Sequence, residues 1–290
     1  MSDIKDIIVI GAGASGMTAA LYALRNGKSV LVLEQETVGG QISNSPRVEN
    51  FPSIKEISGS DFSDKLFEQI TNLGADFELE KVEKVEKGDD GLFTVTTDYA
   101  QRKARAVILA VGVKHRHTGV AGEEELIGNG ISYCALCDGA FYKGEDIALI
   151  GDANTALQYA LLLSNYCPTV NVFALFDHLF GDQILIQRIN DNPNINVTYN
   201  VSLQEFIVQT NNVFVAIGQI PCNEPFKDLV ELDSKGFVIT NDNMETSCAG
   251  VYAVGDTRVK DIRQVVTALG DASVASVYLN RYIQSLNRND

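Results

Sequence analysis

The fold is decided by residues 6–16, which read DIIVIGAGASG. The short apolar, β-branched run predicts a buried parallel strand, and the G-x-G-x-x-G motif after it opens a helical stretch over residues 17–26. A second apolar strand over residues 29–33 ends at Glu34. A strand, a glycine turn, a helix, a strand and an acid within about 30 residues are typical of a dinucleotide-binding βαβ unit. The alternative is a tight turn with a purely structural role.

Each residue type in this motif has a physical reason. Gly11 and Gly13 let backbone amides approach a pyrophosphate, which the helix N-terminus also attracts. Gly16 lets the helix pack closely on the strand. Glu34 can accept a hydrogen bond from a ribose 2′-hydroxyl, and its carboxylate would repel a 2′-phosphate. The motif therefore predicts a site for FAD or NAD rather than NADP.

A second pattern of the same kind begins near residue 146. An apolar strand over residues 146–150 precedes the turn GDANTA at 151–156, a helix to about residue 165 and a strand over 170–174. Strands are also predicted over 77–87, 92–97, 106–111, 213–217 and 250–254, with helices over 61–72 and 264–286. Alternating strands and helices predict an α/β protein with parallel sheets.

The composition excludes several classes of function. The chain has 290 residues, with 23 basic and 38 acidic side chains and a net charge of −15. Nucleic acids and anionic membranes bind clustered Lys and Arg, so neither is expected as a partner. The apolar runs are shorter than the roughly 20 residues that cross a bilayer. No basic segment with an apolar stretch behind it precedes Gly11, and we expect a cytoplasmic protein.

The cysteines point to redox chemistry. Cys134 and Cys137 form a C-x-x-C pair, whereas Cys167, Cys222 and Cys248 are isolated and are predicted to be buried core thiols. Zinc needs four ligands, and neither a second pair nor a suitably spaced histidine is present. A redox disulfide is therefore favoured over a metal site. The neighbouring Asp138 is a candidate acid or base for thiol exchange, or else a turn residue before glycine.

Together these motifs resemble the low-molecular-weight thioredoxin reductases over essentially the whole chain. The matching pieces are residues 11–16, Glu34, GGQ at 39–41, VENFP at 48–52, CALCDG at 134–139, GD at 255–256 and RQ at 263–264. The resemblance implies two three-layer Rossmann-like domains, the second reduced in size. A split FAD-binding domain would comprise residues 1–113 and 247–290, and residues 114–246 would form the central domain with the C-x-x-C pair. It also implies a homodimer that reduces thioredoxin.

The resemblance also assigns roles to individual residues. Cys137 would lie against the flavin, Cys134 would attack the partner disulfide, and Asp138 would protonate the leaving thiolate. The remaining candidates would hold FAD: Gly11, Gly13, Ala14, Ser15, Gly16, Glu34, Gln35, Gly40, Gln41, Asn50, Val82, Ala110, Gly112, Gly255, Asp256, Arg263, Gln264 and Val265.

The central domain departs from the family where NADPH should bind. The family's turn resembles G-G-G-x-[SA]-A, but here Asp152 replaces the middle glycine. The family's H-R-R-x-x-x-R segment, which grips the 2′-phosphate, aligns with ALFDHLF at 174–180. Residues 147–221 contain one Arg or Lys, Arg188, and five acids. The connection after Glu205 is also short where the family has an extra hairpin.

These departures are similar to the ferredoxin-linked flavin thioredoxin reductases, so we expect ferredoxin as the electron donor. The alternatives are the same disulfide chemistry with NAD(P)H or a reduced deazaflavin as donor, a dithiol oxidase that runs the path backwards and uses oxygen, and a non-catalytic flavoprotein redox sensor. Because ferredoxins are usually acidic, docking would need a local basic spot. The candidates are Lys114, His115, Arg116 and His117, and a second group of Arg258, Lys260 and Arg263.

Overall fold

The computed structural model describes residues 4–207 and 212–286. The strands are β1 (Lys5–Ile10), β2 (Val30–Glu34), β3 (Asp76–Leu79), β4 (Val82–Lys87), β5 (Phe93–Thr97), β6 (Gln101–Leu109), β7 (Val113–His115), β8 (Ile131–Ser132), β9 (Ile147–Ile150), β10 (Val170–Phe173), β11 (Ile195–Thr198), β12 (Val213–Val215), β13 (Gln219–Pro221) and β14 (Val251–Ala253). The helices are α1 (Ala14–Arg25), α2 (Gly59–Asn72), α3 (Glu123–Leu126), α4 (Ala135–Asp138), α5 (Asn154–Leu163), α6 (Gln183–Asn190) and α7 (Val265–Leu286). In this part of the chain no helix is long and apolar enough to cross a membrane.

The chain divides into two compact units. Unit 1 comprises Met1–Lys114 and Ile220–Asp290, and unit 2 comprises His115–Gln219. The chain passes between them twice, through β7 and β13, which pair as a two-stranded sheet.

Unit 1 is built on a seven-stranded sheet in the order β3-β2-β1-β6-β5-β4, with β14 also paired to β6. Strands β1, β2, β3, β6 and β14 run parallel, and β4 and β5 continue the sheet antiparallel to β6. Side chains alternate across the sheet, as a strand requires. Ile7 and Val9 pack in one core beneath α1 and α7, whereas Ile8 and Ile10 pack in a second core on the opposite face.

Unit 2 is built on a five-stranded parallel sheet in the order β11-β10-β9-β12-β8. Leu149 faces the core that contains α5, and Ile150 faces the opposite core. The α/β architecture with two Rossmann-like sheets is thus as expected, and the second sheet is the smaller one. Residues 208–211, within the connection predicted to be short, lie outside the described residues.

The second boundary between the units differs from the predicted one. Residues 220–246, which we expected in the central domain, belong to unit 1. The reason is packing: Phe226, Val230 and Val238 are buried in the second core of the unit 1 sheet. Asn223 also donates hydrogen bonds to the carbonyls of Gly236 and Thr257, both at 2.9 Å.

Several local expectations also need correction. The strand predicted over 77–87 is two strands, because the Glu80 side chain turns inward between them and pairs with Thr97 and Arg102. Strand β6 begins at Gln101 rather than 106, since its polar first residues pair with β5. Of the three single cysteines, Cys167 is buried, but Cys222 and Cys248 are only partly buried.

Candidate active site

The C-x-x-C pair forms a disulfide in unit 2. Cys134 and Cys137 are bonded, with their Cα atoms 5.3 Å apart. Cys134 caps the short helix α4, and its Sγ accepts a hydrogen bond from the backbone N–H of Cys137 at 3.2 Å. Ala135 is buried and anchors this turn, while Leu136 is 51% exposed. The turn therefore presents a redox-capable disulfide beside an exposed apolar side chain.

Asp138 lies in the same helical turn in a partly buried position. Its Oδ2 accepts a 2.6 Å hydrogen bond from the Ser132 hydroxyl, and its Oδ1 is shielded from solvent with no hydrogen-bond partner among the described residues. Burial raises the pKa of Asp138, and the hydrogen bond from Ser132 opposes that rise. A carboxyl in this environment can hold a proton at higher pH than an exposed one, as an acid in thiol exchange requires.

The residue after Asp138, Gly139, lies close to two side chains at the end of α5 and just beyond it. A Cβ at Gly139 would lie 2.6 Å from the Tyr166 hydroxyl oxygen and 2.7 Å from a methyl of Leu163. A larger residue at this position would require the Tyr166 and Leu163 side chains to move. The turn that carries the disulfide is thus packed against the end of α5.

The glycine turn of unit 1 has the geometry that a pyrophosphate site requires. Gly11 has φ +106°, and a Cβ there would lie 2.4 Å from the Ala110 carbonyl oxygen. At Gly16 a Cβ would lie 1.9 Å from the Gly11 carbonyl oxygen, so α1 packs directly on the turn. At Gly13 the nearest atom would be 3.8 Å away. Protein contacts therefore explain Gly11 and Gly16, whereas Gly13 leaves space that a ligand could use.

Glu34 lies at the end of β2, as predicted. Its Oε2 accepts from the Ala12 N–H at 2.7 Å, and its Oε1 accepts from the N–H groups of Gln35 and Glu36 at 2.9 and 3.0 Å. These three bonds hold the carboxylate against the glycine turn. Because Oε2 has one protein donor, it retains acceptor capacity for a ribose hydroxyl.

A second group of candidates meets at the start of α7. Asn50 donates to Gln264 Oε1 at 3.1 Å, although 214 residues separate them. The Gly255 N–H donates to Asp271 at 3.1 Å. Asp256 has a buried Oδ1 with no hydrogen-bond partner in the described residues, and burial raises its pKa. An orphaned buried acceptor of this kind fits a hydroxyl group of a bound cofactor.

The remaining candidates of unit 1 mostly lie around the same edge of the sheet. A Cβ at Gly255 would lie 2.6 Å from Ser15 Oγ, and one at Gly40 would lie 3.4 Å from the Gly13 Cα. Ala14 and Val265 are the first residues of α1 and α7. The side-chain amide of Gln41 donates to the Val113 carbonyl, and the Arg263 guanidinium lies 4.4 Å from the Phe237 ring centroid.

Three candidates contribute little side-chain chemistry to this edge. Val82 is 8% exposed, and its side chain belongs to the core of the sheet. Gln35 contributes its backbone N–H to Glu34. Gly112 has φ +63°, and a Cβ there would meet no atom within 4 Å. Glycine is therefore favoured at this position by the left-handed backbone conformation and not by a close contact.

The corresponding turn in unit 2 keeps the backbone but changes the side chains. Gly151 has φ +147°, and a Cβ there would lie 2.5 Å from the Ala216 carbonyl oxygen. The Phe180 N–H donates to the Asp152 carbonyl at 2.8 Å. Asp152 Oδ2 is buried with no hydrogen-bond partner in the described residues. An anion bound to this turn would meet an uncompensated carboxylate.

The segment that follows β10 is aromatic and acidic. The Phe180 ring centroid lies 5.1 Å from that of Phe176 and 4.2 Å from that of His178. Both phenylalanines are more than half exposed, at 52% and 54%. Asp177 is exposed and pairs with His178 at 2.6 Å. These side chains stand where the family carries its phosphate-binding arginines, and they provide no fixed positive charge.

The first basic cluster proposed for ferredoxin docking is largely neutralised by acids. Lys114 Nζ lies 2.6 Å from Glu36 Oε1, and His117 Nδ1 lies 2.6 Å from Glu124 Oε1. His115 is held uncharged at neutral pH, because burial lowers its pKa to about 4. Arg116 is exposed at the surface of unit 2.

The second basic cluster is partly paired with a single acid. Asp271 Oδ2 lies 2.8 Å from Lys260 Nζ, and its Oδ1 lies 3.5 Å from Arg258. Arg263 stacks on an aromatic ring and donates to the Asp256 carbonyl at 3.5 Å. The sequence offered both places as candidate basic spots, whereas in the structure acids pair with Lys114, His117, Arg258 and Lys260.

Sequence reasoning missed two residues that hold candidate groups in place. Ser132 fixes Asp138 and also accepts the Cys134 N–H at 3.1 Å. Asp271 fixes the Gly255 N–H. The sequence shows a serine two residues before the first cysteine, but it does not show that its side chain is oriented toward Asp138. Within the described residues no group of three or more His, Cys, Asp or Glu could hold a metal ion.

Comparison with known proteins defines the class. The family model described as pyridine nucleotide-disulphide oxidoreductase matches residues 5–272. A thioredoxin reductase of Bacillus subtilis (strain 168) is 36% identical over 304 residues, covering 98% of this chain and 96% of that protein. The "34.2 kDa protein in rubredoxin operon" of Clostridium pasteurianum is 36% identical over 299 residues, covering 96% of this chain and 97% of that protein.

A solved structure agrees with these sequence relatives. The thioredoxin reductase of Streptococcus pyogenes MGAS5005 has a TM-score of 0.93 and 35% identity, covering 98% of this chain and 100% of that one. The chain therefore belongs to the pyridine nucleotide-disulphide oxidoreductase family and, within it, to the low-molecular-weight thioredoxin reductases. Its chemistry is that of a flavin-dependent disulfide oxidoreductase.

Proposed function

We propose that this chain takes electrons from reduced ferredoxin and passes them, through FAD and the Cys134–Cys137 disulfide, to thioredoxin. The observation that carries the choice of donor is the nucleotide turn of unit 2, where Asp152 has a buried, unpaired carboxylate oxygen. The resemblance implies a homodimer, and the sequence features favour a cytoplasmic location.

The residues of unit 1 fit FAD. Gly11, Gly13 and Gly16 would admit the pyrophosphate to the start of α1, and Glu34 would take a ribose hydroxyl. Asp256 would satisfy its orphaned Oδ1 on a cofactor hydroxyl. Bound FAD would supply a carrier that accepts electrons singly and passes them on as a pair.

The disulfide turn would perform the exchange with thioredoxin. Reduction of the Cys134–Cys137 bond yields two thiols, of which Cys134 would attack the disulfide of the partner. Leu136, exposed beside the disulfide, supplies apolar surface against which a partner can pack. Asp138 would give its proton to the thiolate that leaves.

The side chains of unit 2 argue against a phosphorylated nucleotide as donor. Phosphates are held in proteins by Arg forks and Lys point charges, and the segment after β10 carries Phe176 and Phe180 instead. Negative charge is also present nearby in the sequence, at Asp152 in the turn after β9 and at Asp177 and Asp182 after β10. A ligand such as NADPH, with charges at its pyrophosphate and its 2′-phosphate, would be repelled rather than bound.

A protein donor also suits the energetics. A ferredoxin near −400 mV and a thioredoxin near −270 mV differ by about 130 mV, or about 6 kcal/mol for a two-electron disulfide reduction. No nicotinamide is needed to drive the reaction.

NAD(P)H is the second candidate donor. It is favoured by the description of the family, which names a pyridine nucleotide, and by the retained left-handed turn at Gly151. The two donors predict opposite results when each is mixed with the oxidised holoenzyme.

The test is anaerobic and follows the flavin absorbance. The holoenzyme is mixed separately with NADPH, NADH and reduced ferredoxin, with and without thioredoxin. Ferredoxin should bleach the flavin and then reduce thioredoxin, whereas bleaching by NADPH within milliseconds would refute the proposed donor. Bleaching by ferredoxin without reduction of thioredoxin would favour a redox sensor.

A pair of cysteine variants tests the path through the disulfide. Cys134→Ser and Cys137→Ser should abolish thioredoxin reduction while FAD stays bound. Cys248→Ser is the matched control, because this thiol is partly buried in unit 1 and belongs to no disulfide. Thioredoxin reduction at the normal rate in Cys134→Ser would remove the disulfide from the path.

A further inference from the structure

We propose that the Ser132 hydroxyl is a positioning group that holds Asp138 in the orientation needed to protonate the thiolate released during disulfide exchange and stabilises the carboxylate that this proton transfer leaves behind. This inference rests on the proposed function, in which Asp138 is the acid. Ser132 is the last residue of β8, two positions before the first cysteine.

The geometry shows one hydroxyl engaged with both parts of the site. Ser132 is 7% exposed, and its Oγ donates to Asp138 Oδ2 at 2.6 Å. The same Oγ accepts the backbone N–H of Cys134 at 3.1 Å. A hydroxyl has one proton to donate, and because the Cys134 N–H must donate, that proton is directed to Asp138. The side chain therefore connects the carboxyl to the backbone of the attacking cysteine.

The two carboxyl oxygens of Asp138 have different surroundings. Oδ2 is occupied by Ser132, while Oδ1 is buried and has no hydrogen-bond partner in the described residues. The Asp138 N–H also donates to the Cys134 carbonyl at 3.0 Å, which fixes the backbone of the acid within the disulfide turn. Oδ1 is thus the oxygen left to carry the transferable proton.

Within the described residues, no cation is found to pair with Asp138, whose pKa is shifted by burial and by the Ser132 hydrogen bond. Tyr142, in the turn after α4, and Tyr159, on α5, both feel the charge of Asp138, and burial raises the pKa of each phenol. Both phenols are therefore neutral at physiological pH. Glu145 acts on Tyr142. The Ser132 hydroxyl is the hydrogen-bond donor that stabilises the ionised form of Asp138.

The exchange step balances with this assignment. In the reduced protein the proton of Cys134 rests on Asp138, and Cys137 keeps its own. The Cys134 thiolate bonds to one sulfur of the partner, the partner S–S bond breaks, and the released sulfur takes the electron pair and the proton of Asp138. Cys137 then attacks the mixed disulfide, closes the Cys134–Cys137 bond, and its proton goes to the second released sulfur. Ser132 stabilises the carboxylate that remains.

The direct test measures the ionisation of Asp138 in the oxidised holoenzyme. Infrared difference spectra recorded against pH follow the C=O stretch of the protonated carboxyl, and Asp138→Asn identifies the band by removing it. Ser132→Ala deletes a hydrogen bond to the charged form, so we expect the acid dissociation constant of Asp138 to fall about tenfold, a shift of about one pH unit upward. Ser132→Thr, which keeps the hydroxyl on a strand residue, should restore the original midpoint. Ser164→Ala, another hydroxyl deletion in unit 2, should leave it unchanged.

The functional readout is the pH profile of a single turnover. Enzyme reduced in advance with dithionite is mixed with thioredoxin, and the alkaline limb, where the acid loses its proton, should move upward in Ser132→Ala. Should that variant fold poorly, Ser132→Cys keeps the volume with a weaker donor and should shift the midpoint in the same direction.

The outcomes distinguish a failure of the role assigned to Ser132 from a failure of the proposed function. An unchanged Asp138 midpoint in folded Ser132→Ala overturns the role of Ser132, whichever donor reduces the enzyme, because the spectra need neither donor nor thioredoxin. Reduction of thioredoxin by Asp138→Asn at the unmodified rate would instead overturn the role of Asp138 in the proposed function.

Discussion

Two arginines placed in the segment after β10 should give unit 2 a measurable affinity for NADPH. The variant is Leu175→Arg with Phe176→Arg, in a background where Asp152→Gly removes the buried carboxylate. Phe176 is 54% exposed, and its backbone carbonyl keeps the hydrogen bond from Asn200 at 3.0 Å. The substitutions therefore cost little beyond the ring contact between Phe176 and Phe180.

The expected gain follows from the number of phosphate contacts restored. A hydrogen bond between charged groups contributes about 1.5–3 kcal/mol, so two arginines on the 2′-phosphate contribute about 3–6 kcal/mol. At about 1.4 kcal/mol per factor of ten, the dissociation constant for NADPH should fall at least about 100-fold. NADH, which lacks that phosphate, should gain much less. The gain should therefore appear as a preference for NADPH over NADH.

Isothermal titration of the oxidised holoenzyme with each nucleotide measures the effect. Leu175→Gln with Phe176→Gln, in the same Asp152→Gly background, is the uncharged control and should remain as weak as the starting protein. The reasoning is refuted if the unmodified protein binds NADPH at micromolar concentrations. An equal gain for both nucleotides would also contradict it, because the arginines would then not be reading the 2′-phosphate.

Three further outcomes test other parts of the structure. Asp256→Asn should weaken FAD binding by about tenfold, because the buried carboxylate loses its charge-assisted bond to the cofactor; fluorescence titration of the apoprotein checks this, with exposed Asp261→Asn as control. Glu80→Ala should lower the free energy of unfolding at pH 7 by about 2–3 kcal/mol, below the value for a fully buried pair because Arg102 is partly exposed. Arg102 lowers the pKa of Glu80, so this stabilisation is present above the unfolded pKa and disappears as pH falls through the folded pKa; urea unfolding with Glu83→Ala as control measures it. The rate of flavin reduction by ferredoxin should rise with salt, since two acidic proteins repel and most charges of the two basic clusters are paired with acids; a falling rate in stopped flow would indicate an attractive basic patch.

Local chemistry made the strand and turn geometry of unit 1 predictable. A β-branched run before G-x-G-x-x-G leaves few alternatives to a buried strand and a left-handed turn, and Gly11 adopts φ +106° with no room for a Cβ. Glu34 is eighteen residues beyond Gly16 and ends the next strand. Each of these features depends on neighbours within one supersecondary unit, which a sequence displays directly.

Features that depend on distant partners could not be predicted. Lys114 and Glu36 are 78 residues apart, and nothing in either local sequence indicates that they pair. The inward turn of Glu80 depends on Arg102, 22 residues further on. Residues 220–246 likewise belong to unit 1 because Phe226 and Val238 are buried against its sheet. The sequence shows these apolar side chains but not which of the two sheets they pack against.

The nucleotide turns of the two units share their backbone geometry and differ in their side chains. Gly11 and Gly151 occupy matching left-handed turns, each with a carbonyl oxygen within 2.5 Å of its missing Cβ. In both units the segment after the second strand donates an N–H at 2.8 Å to the residue that follows this glycine. In unit 1 that donor is Gly39, but in unit 2 it is Phe180. The difference between the two turns therefore lies in their side chains, and it is this difference that the arginine and Asp152→Gly substitutions described above test.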